Sequence, residues 1–197
     1  IQGFAAPHPD WQVEVVEATQ APNGTSLAFD STGVPAVSYR GFTSQALIVA
    51  RPIEGTWMAT VVDASADVGS HSSIAFDGND RPAVSYYDDT NDDLKFARFD
   101  GTSWQVETVD STGFVGTYTS LAFNPAGRPV IAYKSQTNED LKLAEWTGTQ
   151  WTITNVPVAG LIGSFASLAL TPGGEPAIAY FDSGTSDLEY VERHSGT

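Results

Sequence analysis

Ser120-Leu-Ala-Phe-Asn-Pro-Ala-Gly-Arg-Pro-Val-Ile-Ala-Tyr133 decides the reading of this chain, because its pattern returns at one fixed step. Ser26, Ser73, Ser120 and Ser167 are spaced by 47 residues, and Pro35, Pro82, Pro129 and Pro176 keep the same step. So do Tyr39, Tyr86, Tyr133 and Tyr180, and Leu47, Leu94, Leu141 and Leu188. Tryptophans at 11, 57, 104 and 151 follow within one residue of that period. A constant period of about 20 to 50 residues marks a propeller, a solenoid or an array.

Within the third repeat, four short runs stand out: Ser120–Phe123, Pro129–Tyr133, Leu141–Trp146 and Trp151–Val156. Each is rich in β-branched or aromatic residues or alternates in period two, as half-buried strands do. The segments between them carry Gly, Asn, Asp and Ser, which supply positive φ or bond back to the local backbone in turns. No window has an apolar period of about 3.6 long enough for a helix. The reading is all-β, with four antiparallel strands per repeat, A, B, C and D, where A begins at the serine and D at the tryptophan. Four-stranded units of this length are β-propeller blades. Strand A alternates small with large, Ser73/Ala75 against Ile74/Phe76, so the small side can face a crowded axis and the large side can pack between blades.

The order of strands predicts how the ring shuts. After an extension at 1–10, the chain opens on a lone D strand, Trp11–Val16, and ends on an A-B-C unit at Leu188–Arg193. Pairing those two segments gives four strands of each kind, a single domain over 1–197 and a closed four-bladed propeller whose last blade is completed by the first strand. Two readings stay beside it: a slice from a longer array, and the same pairing made between two chains to give a larger ring.

Nine Lys plus Arg against 24 Asp plus Glu give a formal charge of −15, which repels phosphate backbones and makes nucleic acid a poor partner. No run is apolar enough for membrane insertion. The absence of cysteine excludes disulfides and thiolate metal sites. Ile1 in place of an initiator methionine points to a removed leader or a larger precursor, and with the acidity to a secreted or surface-exposed bacterial protein.

The run Ser-Leu-Ala-Phe-Asn-x-x-Gly-x-Pro, followed by Tyr, Asp-Leu-Lys-x-Ala and Gly-x-x-Trp, resembles repeats of secreted bacterial β-propellers. Blade length and architecture are similar to those of tachylectin-like and fucose-lectin-like propellers, a likeness covering residues 11–197. It implies the fold far more than the function, since propellers host lectins, hydrolases, lyases and scaffolds. Sialidase Asp-boxes read Ser-x-Asp-x-Gly-x-Thr-Trp, whereas Phe99-Asp-Gly-Thr-Ser-Trp104 keeps only Asp-Gly and Trp, with Ala97 at the serine position.

Columns identical in every repeat read as fold determinants, so a site is expected where repeats differ. The D–A and B–C loops share one face of a propeller. The D–A loops place His71, Tyr118 and Phe165 in one column, opposite Gly24 in the first repeat, and three rings around one opening make a stacking platform or a plug. The first B–C loop departs from its siblings with Arg40 and Phe42, and the second begins at Tyr87. In that second loop Asp88, Asp89 and Asp92 are hard oxygen donors of the kind that hold Ca²⁺, although Asp is also a common turn former. Asp93, Asp140 and Asp187 read as turn caps. No nucleophile elbow, His-Glu-x-x-His or phosphate loop occurs. The expected function is a non-catalytic binding module for carbohydrate. Its alternatives are a structural or protein-interaction domain of a secreted or surface assembly, and a glycan-acting enzyme.

Overall fold

A computed structural model describes residues 10, 12–158, 160 and 162–194. Among them there are strands and turns and no helix. Each repeat folds as one antiparallel sheet, called a blade below. The first holds β1 (Asn23–Phe29), β2 (Pro35–Gly41), β3 (Ala46–Ile53) and β4 (Thr56–Asp63). The second holds β5 (Val68–Phe76), β6 (Pro82–Asp88), β7 (Asp93–Phe99) and β8 (Trp104–Asp110). The third holds β9 (Val115–Phe123), β10 (Pro129–Ser135), β11 (Asp140–Trp146) and β12 (Trp151–Asn155). The fourth has three strands: β13 (Ser164–Leu170), β14 (Pro176–Asp182) and β15 (Asp187–Glu192). Successive blades pack through their first strands, β1 on β5, β5 on β9 and β9 on β13, giving a propeller-like arrangement.

Local chemistry explains each blade. The A–B turn is capped by the residue after strand A: the Asp77 carboxylate accepts from the Asn79 and Arg81 amides at 2.9 and 3.0 Å, as Asn124 does from Ala126 and Arg128. The proline column then opens β2, β6, β10 and β14, where a missing amide donor costs nothing. Strand A begins earlier than its serine. In the second and third blades it starts at Val68 and Val115 and reaches the serine through a bulge. Gly69 and Gly116 make this possible. They have φ of 104° and 105°, and a Cβ on them would lie 2.9 and 2.7 Å from the Cα atoms of Leu47 and Leu94 in the preceding blade.

The serines join neighbouring blades. The amide of Ile74 donates to Ser26 Oγ at 3.2 Å, that of Leu121 to Ser73 at 3.0 Å and that of Leu168 to Ser120 at 2.9 Å. The large side of strand A enters the apolar layer between blades. One such layer unites Leu47 and Val49 with Ile74 and Tyr86, with Val62 and Trp104 at its edge. The next two layers repeat it with Val109 and Trp151, and with Val156. All four tyrosines of the conserved column are buried.

Ring closure within the chain is not what the structure shows. Trp11 lies outside the described residues, and residues 12–16 form no strand and do not pair with β15. Val16 instead packs on the first blade, against Tyr39, Ile48 and Trp57. The reason lies in the arc: β13 packs on β9 and has no comparable packing on β1. Among the described residues no strand covers either end face, and Leu188 is 81% exposed although Leu47, Leu94 and Leu141 are fully buried.

Candidate functional site

The bulges of the innermost strands bring the predicted ring column together. His71 and Tyr118 have ring centroids 4.6 Å apart, and Tyr118 and Phe165 4.7 Å apart, tilted by 60° and 51°. All three residues are left-handed, with φ of 53°, 53° and 54°, and Gly24 completes the column at 60°. A left-handed non-glycine costs about 1 kcal/mol or more, so this row is held by its surroundings. Tyr87 meets His71 edge-on at 6.3 Å. Burial holds the His71 imidazole below its usual range, against the opposing pull of Asp89.

The other predicted residues lie beside the row but are largely committed. Arg40 binds Asp67 through Nε and Nη2 at 2.8 and 2.5 Å and covers the exposed Phe42 ring at 5.5 Å. The Tyr87 hydroxyl donates to Asp92 in its own loop. Burial pushes the Asp89 carboxyl up, and a bond from Ser70 and the field of Arg40 oppose it.

The proposed Ca²⁺ ligands diverge. Asp88 is buried and caps its loop, accepting from the Thr90 and Asn91 amides at 3.0 Å and from Asn91 Nδ2 at 2.9 Å. Asp92 turns to Tyr87 and Asp89 to Ser70, so the three carboxylates face different ways. Among the described residues no three acidic or histidine side chains gather as a metal site. The expectation that Asp93, Asp140 and Asp187 cap the B–C turns is also corrected, to the column five residues earlier. The caps are Asp88 and Asp182, the latter accepting from the Gly184 amide at 2.7 Å.

A different site appears between blades, lined largely from their third and fourth strands. Each pair of neighbours leaves a groove there, of about 510, 350 and 190 Å³ in chain order. The first is mainly apolar, lined by Val49, Met58, Pro82 and Trp104, with Arg51 tied to Asp30 at 2.6 Å. The third is bordered by Arg193, which grips Glu145 at 2.8 and 3.0 Å and Glu175 at 2.7 Å. The middle groove combines the indoles of Trp146 and Trp151, 5.5 Å apart, with Arg98, Gln105 and Glu107. Arg98 gives Nη2 to Asp77 at 2.7 Å, and Gln105 is held by Asp100 and Ser103.

One atom in the middle groove is unsatisfied. Trp151 Nε1 is buried and has no hydrogen-bond partner. A buried indole N–H ordinarily finds one. Its counterpart Trp57 donates to Glu14 at 2.8 Å, and Glu14 stands one repeat step from Thr60 and two from Glu107. Glu107 therefore holds, toward Trp151, the column position that Glu14 holds toward Trp57. Both residues line the middle groove, and no direct bond to Trp151 Nε1 is made there.

Sequence reasoning missed this groove because it assigned the tryptophans to the core. The available signal was variation in two columns, Arg51/Arg98/Glu145/Glu192 and Thr60/Glu107/Thr154. Their meeting depends on how one blade lies on the next, which no column states.

No family model and no curated protein matches the chain. Solved structures do. A protein of unknown function from Dyadobacter fermentans aligns with a TM-score of 0.62 at 11% identity, over 88% of this chain and 65% of that one. The SapL1 lectin, solved with alpha methyl fucoside, aligns at 0.64 and 14%, over 89% and 64%. An alpha-L-arabinanase from Penicillium chrysogenum, complexed with arabinobiose, aligns at 0.61 and 12%, over 89% and 63%. The chain thus spans about two thirds of each of these structures. It shares their fold, and that fold serves both a lectin and a glycan-cleaving enzyme.

Proposed function

We propose that the chain is a non-catalytic carbohydrate-binding module whose sugar site is the groove between the second and third blades. The observation that carries this reading is the unpartnered Nε1 of Trp151, a buried donor on a residue that lines a groove of about 350 Å³. A sugar presents both an apolar C–H face and a set of hydroxyls. Trp146 and Trp151 offer aromatic surface, Trp151 Nε1 a donor, Glu107 an acceptor, and Arg98 and Gln105 further polar reach. A hydroxyl seated between Trp151 and Glu107 would accept from one and donate to the other. The fold shared with a fucoside-bound lectin supports the ligand class.

Two features favour binding over cleavage and over the ring column. Glycoside hydrolysis canonically needs two carboxyl groups facing across the sugar, and among the described residues Glu107 is the one carboxylate lining this groove. The rings of His71, Tyr118 and Phe165 lean on one another at 51–60° and present no common flat face. A position outside the cell, where such ligands are displayed, belongs to the same proposal.

A glycan array followed by calorimetry on the strongest hit tests it. Trp151→Phe and Glu107→Gln should each weaken binding about tenfold, the equivalent of one hydrogen bond. Phe165→Gly should leave binding unchanged. Silence of the wild-type chain on every glycan would overturn the reading, and loss of binding in Phe165→Gly alone would move the site to the ring column.

A further inference from the structure

The two end blades expose opposite halves of one interface. Between neighbours, the preceding blade offers a Leu from its third strand, as Leu47 and Leu94 do, and a D-strand valine, as Val62 and Val109 do. The following blade offers a strand A aliphatic, the conserved tyrosine and the D-strand tryptophan. The first blade displays the second half, and of the described residues only the segment before β1 lies on it, against Tyr39 and Trp57. Leu27 is 58% exposed, whereas Ile74, Leu121 and Leu168 at its position are buried. The fourth blade displays the first half, with Leu188 and Tyr190 exposed where Leu94 and Phe96 are buried.

The chain before β1 is already placed for such a contact. Val16 lies on Tyr39, Ala50 and Trp57, as Val62 lies with Tyr86, Ala97 and Trp104 one blade later. Tyr39 donates to Glu17 at 3.4 Å, as Tyr86 does to Asp63 at 2.7 Å. The segment 12–17 therefore sits against the first blade as a D strand does, without the sheet it would belong to. The fourth blade is a sheet that lacks its D strand among the described residues.

From this we infer that a second copy of the chain docks head to tail, the fourth blade of one copy against the first blade of the next. Residues 12–17 of one copy then lie along β15 of the other, and Ser167 takes the place toward Leu27 that Ser26 has toward Ile74. The contact continues an interface that the chain already builds three times between its own blades. It is heterologous, so it yields a ring if the rotation closes and a filament if it does not. It is independent of the sugar-binding reading.

Light scattering on a sizing column tests it with the full chain and two variants, Leu27→Asp and Leu188→Asp. Both residues are exposed within one chain, and circular dichroism with thermal melting checks that the variants fold like wild type. The wild-type chain should run as a multimer, more so at high salt, because the charge of −15 opposes association. Each variant alone should be monomeric. Mixed, they should form a 1:1 dimer that grows no further, since each retains the half that the other lost. A monomeric wild type overturns the inference and gives these faces to another partner. Variants that still assemble, or a mixture that stays monomeric, overturn it as well.

Discussion

The Tyr180 hydroxyl donates to Glu189 at 2.6 Å inside its own blade, whereas the same tyrosines of the second and third blades reach back to the blade before. Tyr86 donates to Asp63 and Tyr133 to Asp110, both at 2.7 Å, and Lys95 and Lys142 meet those carboxylates at 2.6 and 2.5 Å. One repeat step beyond Asp110 stands Pro157, and one beyond Lys142 stands Glu189. Where the preceding strand loses its acid, the lysine position becomes acidic. In the first blade Glu17 supplies the acid and Ile48 replaces the lysine. Every tyrosine of the column keeps a carboxylate partner.

Asp110→Ala should cost about 3–5 kcal/mol in urea unfolding, because it leaves Lys142 buried and charged and Tyr133 unpaired. Adding Lys142→Met should recover a large part of that loss. A double variant no more stable than the single one would show that the ion pair is not the source.

Acid should expose the same network. Burial alone would raise the Asp63 carboxyl, but hydrogen bonds from Lys95, Tyr86 and Ser65 win and bring it to about 2. A carboxyl held below its unfolded value binds fewer protons in the folded state. Its contribution is therefore complete above about pH 4, where the unfolded chain has ionised, and fades as pH falls toward 2. Urea midpoints measured across that window should drop for wild type, and drop less for Asp63→Asn, which starts lower.

Phe165 separates backbone strain from packing. Its ring is 69% exposed and its φ is 54°. Phe165→Gly should be more stable than Phe165→Ala by about 1 kcal/mol, since only glycine adopts that conformation freely. Equal stabilities would mean that the left-handed backbone costs nothing there.

Trp151→Phe should weaken sugar binding about tenfold while leaving the urea midpoint nearly unchanged. The indole N–H has no partner to lose, and the six-membered ring keeps much of the contact with Phe96, 5.3 Å away between centroids. A large stability loss would assign Trp151 to the core alone.

Much of the architecture was legible because repetition supplies its own alignment. Pro82, Tyr86 and Leu94 recur with their neighbours, and period-two patterning places β5 to β8 around them. The start of strand A was not legible, since Gly69 and His71 read as loop residues and only the bulge shows them to be strand. Closure was misread for a related reason. Counting strands shows that Val16 and Leu188 belong to complementary columns, but not whether the arc bends far enough to bring them together. The middle groove stayed hidden because Glu107 and Trp151 belong to different repeats, and their spacing is set by packing between sheets.

The hydroxyl that the strand A serine of each of the first three blades offers to the next blade's amide has a consequence for size. Ser26, Ser73 and Ser120 each fix only the placement of the neighbour that follows. Such an object behaves as a one-dimensional polymer of sheets, with unfolding free energy growing link by link and loosening at its ends first. The length of the arc is then a matter of stringing.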